Sequence, residues 1–162
     1  MFIQYIGSHT PHIHIILQHY HIYRYQGAGH KWIVENQTTF CAVEIQDLRE
    51  TVYIYGCAGA TIDVKGKCKS IIIDTCKKVN VLFDIAIASC EVVNSQRINV
   101  TCRETVSSVA IDKTDGIVVT LPSTSLDSKI VASKSSEMNL SWPDSNGDLI
   151  ERPIPVSSSV GV

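Results

Sequence analysis

Aromatic residues make up only 7% of the 162 positions, so large rings do not dominate the core. Net charge is −2, which leaves no overall attraction to nucleic acid or to an anionic membrane. No apolar run approaches the roughly 20 residues a spanning helix needs. The six cysteines, Cys41, Cys57, Cys68, Cys76, Cys90 and Cys102, form no C-x-x-C pair, which argues against a zinc-ribbon site. Residues 1–30 have no basic stretch followed by a clean apolar run, because His and Tyr interrupt each one. Reduced, buried thiols in a cytoplasmic protein are therefore expected. No segment sustains a helical period long enough for a core helix.

Short triplets of β-branched residues are abundant, as in Val52-Tyr53-Ile54, Ile62-Asp63-Val64, Ile71-Ile72-Ile73 and Val79-Asn80-Val81. Such residues favour strands. A step of 19 residues returns the same kind of side chain. Val52, Ile71, Cys90 and Val109 form one ladder, and Ile54, Ile73, Val92 and Ile111 another. Ile62, Val81, Val100 and Val119 form a third, and Val64, Phe83, Cys102 and Leu121 a fourth. Small residues at Cys57, Cys76, Ser95 and Thr114 suit a tight inward corner. A fixed period near 20 is the mark of a solenoid whose coils bury their apolar faces on one another.

The fold expected is all-β: a right-handed parallel β-helix of about 19-residue coils over residues 31–121. Its first coil is irregular, with Ile33 and Glu35 standing 19 before Val52 and Ile54. A C-terminal hairpin is expected over 122–156, because Asn146-Gly147 lies between two strand-like runs. Residues 157–162 read as a loose tail and 1–30 as a His/Tyr-rich extension. All six histidines fall there; His12-x-His14 and His19-x-His21 have metal-compatible spacing, but no carboxylate or cysteine accompanies them. No metal and no cofactor are expected. Lys65, Asp84 and Arg103, also 19 apart, should stack as a charged column.

The motifs then resemble a known family. Residues 31–37 (KWIVENQ), 52–57 (VYIYGC), Lys65-Gly66-Lys67, Cys76-Lys77-Lys78, 112–116 (DKTDG) and 134–139 (KSSEMN) occur in the order seen in the C-terminal domain of the cyclase-associated proteins. That resemblance covers residues 31–155. It implies a cytoplasmic, cytoskeleton-associated module without covalent chemistry. The module would bind monomeric actin in its ADP form, including subunits released by cofilin, and promote nucleotide exchange.

Carried onto the matching motifs, the resemblance places actin contacts at Lys65, Lys67, Lys77, Lys78, Lys113, Asp115, Lys134 and Glu137. Each is equally readable as a solvated turn charge. It also implies a homodimer made by exchange of C-terminal strands, through Met138, Leu140, Trp142, Leu149, Ile150 and Ile154. Where the family's hairpin ends in a Pro-Glu-Gln-Phe-like tail, this chain reads Pro153-Ile154-Pro155-Val156-Ser157. Trp32 and Trp142 read as core caps, with a hairpin role open to Trp142.

Three alternatives remain. One is a GTPase-activating module of the tubulin-folding cofactor C type, for which Gln96-Arg97 is the nearest match to a Gln-x-Arg finger. A β-helix lyase or hydrolase is disfavoured, because Val93 separates Asp74 from Asp112 and no acidic stripe forms. The third is a dimeric actin-sequestering or scaffold module without exchange activity.

Overall fold

The computed structural model describes residues 12–17, 20–25, 30–155 and 159–160, with backbone alone before residue 30 and after 155. The elements in order are β1 (His12–Leu17), β2 (Tyr20–Tyr25), β3 (Lys31–Glu35), β4 (Phe40–Glu44), β5 (Thr51–Tyr55), β6 (Thr61–Asp74) and β7 (Asn80–Val93). There follow β8 (Gln96–Val106), β9 (Ser108–Asp112), β10 (Asp115–Thr120), a 3-10 turn (Ser123–Ser125), β11 (Lys129–Ser133), β12 (Ser136–Pro143), β13 (Leu149–Pro153) and β14 (Ser159–Val160).

These strands wind into a parallel β-helix with two faces. One face stacks β4, the first half of β6, the first half of β7, then β8, β10 and β12. The other stacks β3, β5, the second halves of β6 and β7, then β9 and β11. Alternate side chains point inward, as the strand period requires. Ile62 pairs with Val81, Val81 with Val100, and Val100 with Val119. Ile54, Ile73, Val92 and Ile111 pair in the same way. Every member of the four apolar ladders is buried. All six cysteines are free and buried, and burial pushes the Cys41 thiol up to about 12 and the Cys68 and Cys102 thiols up to about 11.

The helix is longer than residues 31–121. β11 and β12 are a further coil, parallel to β9 and β10 at an offset of 21: Val109 meets Ile130 and Val119 meets Leu140. The added length lies in the segment holding the 3-10 turn, where Ser125 and Ser128 are buried and the Ser128 hydroxyl donates to the Val106 carbonyl at 2.6 Å. The first coil also departs from 19. Trp32 and Val34 meet Val52 and Ile54 at an offset of 20, and Cys41 and Val43 meet Ile62 and Val64 at 21. Val34, not Glu35, therefore points into the core. Residues 65–70 are part of one bent strand, with register shifts on either side of Lys67 and Cys68.

Both ends are closed by antiparallel strands. β1 and β2 form a hairpin that continues the second face from β3. β13 pairs with β12 as the expected hairpin, and β14 pairs with β11. Trp32 and Trp142 pack half-buried against the two ends of the core. Trp32 Nε1 donates to the buried Glu50 carboxylate at 3.3 Å, which also accepts the Gln46 amide at 2.9 Å.

Candidate functional site

Each coil reverses twice. Because β6 serves both faces, the bend at Gly66 and the turn after Asp74 lie at opposite edges of the helix. The turn after Asp74 belongs to a repeating four-residue corner.

The corner is built the same way in successive coils. Its first position is left-handed: Asn36 (φ 53°), Gly56 (64°), Thr75 (54°), Asn94 (50°), Lys113 (47°) and Lys134 (50°). The second points inward and is buried: Gln37, Cys57, Cys76, Ser95, Thr114 and Ser135. The third is outward: Ala58, Lys77, Gln96, Asp115 and Ser136, joined in part by Ala58–Lys77–Gln96 bridges. The fourth is left-handed again: Gly59 (69°), Lys78 (54°), Arg97 (54°), Gly116 (79°) and Glu137 (49°).

The small inward residues stitch the coils together. The Ser95 hydroxyl donates to the Val93 carbonyl at 2.8 Å and accepts the Cys76 amide at 3.1 Å. Ser135 repeats this with the Ser133 carbonyl at 2.8 Å and the Thr114 amide at 3.0 Å. Buried backbone groups are thereby satisfied without water. The outward and left-handed positions consequently sit on a rigid frame.

Six of the eight predicted contact residues fall on this corner: Lys77, Lys78, Lys113, Asp115, Lys134 and Glu137. All six are exposed. Arg97, part of the nearest match to a Gln-x-Arg finger, stands in the same columns. None of Lys77, Lys78, Arg97, Lys113 and Lys134 forms an ion pair among the described residues. Five unpaired cations thus share one edge with Asp115 and Glu137. The clue available in the sequence was the 19-residue step from Lys78 to Arg97 and Gly116.

Lys65 and Lys67 lie at the opposite edge. The expected charged column is present there in altered form. Arg103 bonds Asp84 through Nε at 2.6 Å, as the spacing predicts, and reaches past it to Asp63 at 2.7 Å. Lys65 Nζ lies 3.9 Å from Asp63. Asp84 also accepts the Gly66 amide at 2.7 Å. Burial opposes its charged form, but the Gly66 amide and Arg103 outweigh burial and lower its pKa.

The strand-exchange residues also divide. Met138, Leu140 and Ile154 are buried within the chain, and the Ile154 amide donates to the Met138 carbonyl at 2.8 Å. Leu149 is 67% exposed, with Trp142 and Ile150 partly covered.

The paired imidazoles of residues 12–21 and most of the 157–162 tail lie outside the described residues. The register Asp74–Val93–Asp112 keeps the two carboxylates two coils apart, as the spacing predicts. No described helix is long and apolar enough to cross a membrane.

Residues 22–159 match the sequence model of the adenylate cyclase associated (CAP) C-terminal domain. The chain belongs to this family. It is 42% identical over 129 residues to human adenylyl cyclase-associated protein 1, covering 78% of this chain and 27% of that protein. It is 44% identical over 131 residues to the adenylyl cyclase-associated protein of Dictyostelium discoideum, with 78% and 28% covered. The chain thus spans just over a quarter of the length of these relatives. The crystal structure of a cyclase-associated protein from Cryptosporidium parvum has the same fold, with a TM-score of 0.75, 22% identity, and coverage of 96% of this chain and 90% of that one. Its likeness independently supports the β-helix reading.

Proposed function

We propose that this CAP C-terminal domain binds monomeric actin through the corner edge and promotes exchange of its bound nucleotide. The observation that carries the reading is the row of Lys77, Lys78, Arg97, Lys113 and Lys134, held on a rigid frame and in no ion pair among the described residues. Such a row suits an acidic partner surface, and membership of the family directs the choice to actin. The domain acts by binding alone. A partner that prefers the open nucleotide cleft lowers nucleotide affinity by that preference. The ADP form and cofilin-released subunits are the substrates this role requires. A homodimer formed by exchange of the C-terminal strands would double the number of edges, with Leu149 and Ile150 as the accessible apolar contacts.

The test is a titration of labelled ADP-actin monomers. Lys77→Ala, Lys78→Gly, Lys113→Gly and Lys134→Gly together are expected to weaken binding at least tenfold. Lys65→Ala with Lys67→Ala is expected to leave it unchanged. Equal loss from both sets would contradict the assignment of the edge.

A further inference from the structure

Between Arg97 and Glu137 the corner lacks one side chain. Gly116 holds the intervening coil, so a slot of about 310 Å³ opens there, lined by Arg97, Asn99, Gly116, Val118, Glu137 and Asn139. Parallel strands are about 4.8 Å apart, which puts the backbones of Arg97 and Glu137 about 9.6 Å apart across the gap. Both residues keep a positive φ that glycine, present elsewhere in this column, adopts freely. Their side chains are thus presented at a backbone cost.

The slot differs from the basic edge around it. A ladder of amides leads into it along the outer face. Asn80 Nδ2 donates to Thr61 Oγ1 at 3.3 Å, and Asn99 Nδ2 donates to Asn80 Oδ1 at 2.9 Å. The next residue in the column is Val118, which has no donor, so the ladder ends on the Asn99 carbonyl oxygen. Across the gap, Asn139 Nδ2 donates to Glu151 at 2.6 Å, leaving its own carbonyl oxygen. No other described side chain donates to either oxygen. Two amide carbonyls and the Glu137 carboxylate therefore form an acceptor-rich recess inside a cationic edge.

We infer that this recess takes the head group of one arginine or lysine standing within the acidic surface of the partner. The inference rests on the reading that the corner edge meets monomeric actin. The surrounding cations supply attraction; the recess supplies register. A guanidinium offers donors to Glu137, Asn99 and Asn139 together, and Arg97 at the far wall pairs with an acidic neighbour of the inserted residue. A partner lacking a basic group at that place would leave the acceptors unpaired and be rejected.

Stopped-flow binding of the full chain to fluorescent ADP-actin tests this, with Glu137→Gly and Gly116→Asn as variants. Gly suits the positive φ of residue 137. Asn bears the φ of 79° at residue 116 at a smaller cost than most L-residues, and its Cβ would meet Arg97 at 3.6 Å, an ordinary contact. Each variant should raise Kd about 10- to 100-fold through faster dissociation, with association rate and salt dependence little altered. Unchanged circular dichroism and melting temperature would confirm that the fold is intact. If wild type binds and both variants dissociate as it does, the recess has no such role and the actin reading stands. If wild type does not bind, the actin reading fails and the recess with it.

Discussion

Thr75 shows what a single residue contributes to this fold. It is β-branched, yet it holds a φ of 54° in a column where Asn36 and Asn94 occupy equivalent corners. Left-handed geometry costs an ordinary L-residue about 1–2 kcal/mol, and Asn pays less because its amide bonds locally. Thr75→Asn, whose amide can donate to Asp74 in place of the Thr75 hydroxyl, is therefore expected to stabilise the fold by about 0.5–1 kcal/mol, read as a rise in melting temperature. The corner was only partly legible in the sequence for the same reason. Gly and Asn advertise a left-handed position, whereas Thr75, Lys78, Arg97, Lys113, Lys134 and Glu137 do not.

Two carboxylates at the residue scale set the acid response. Burial works against the charged form of Asp74, but hydrogen bonds from Tyr53, Thr75 and Asn94 win and lower its pKa. Asp84 is lowered by the Gly66 amide and Arg103 against the same opposition. A group depressed in the folded state adds stability that is full above its unfolded pKa, about 3.9 for Asp, and is lost as pH falls through its folded value. Urea midpoints should hold steady from neutral pH to about 5 and decline below about 4. Asp84→Asn should flatten that decline. Tyr53 runs the other way, with its hydrogen bond to Asp74 pushing it up to about 12. Its contribution is full below about 10 and lost as pH rises through about 12.

For the elements, what the sequence shows depends on whether the period holds. From Val52 to Val119 the offset stays near 19, so the inward ladders were readable in advance. Two places broke it. The first coil runs at 20 and 21, which puts Val34 opposite Ile54 where a strict 19 selects Glu35, and Val43 opposite Val64 where it selects Ile45. The segment holding the 3-10 turn lengthens the last coil to 21, which left β11 and β12 outside the 31–121 helix that a 19-residue step marks out. The strands of that region were legible, but their membership in the helix was not. Lys65 was displaced likewise, since the bend in β6 shifts the register beside it.

That bend depends on Gly66. Its φ is 94°, and a Cβ there would lie 3.2 Å from the Ile45 carbonyl oxygen. Gly66→Ala should therefore cost about 1–3 kcal/mol, measured by chemical denaturation. The Asp63–Arg103–Asp84 cluster beside the bend should loosen with it, exposing Arg103. Gly116→Ala tests a different contact, since its Cβ would meet Arg97 only at van der Waals distance.

Across the whole molecule, the coil geometry divides a basic set that looks continuous in the sequence. Lys65 and Lys67 stand 10 to 13 positions before Lys77 and Lys78, yet the bend and the corner carry them to opposite edges. Arg97, Lys113 and Lys134 join Lys77 and Lys78 because successive coils stack. The family-like motifs contain most of this edge, but their order along the chain does not show that it is one surface. Arg97 lies outside those motifs, and the 19-residue step from Lys78 is what places it on the edge. Capping strands at both ends leave the long corner edge as a solvent-facing feature running through the coils.

The most direct test follows release of a fluorescent nucleotide from ADP-actin after excess ATP is added, with and without the purified domain. The account predicts faster release. That acceleration should be lost in the Lys77, Lys78, Lys113 and Lys134 variant and kept in the Lys65 and Lys67 variant. Binding with no change in release rate, or acceleration that survives loss of the four corner lysines, would contradict it.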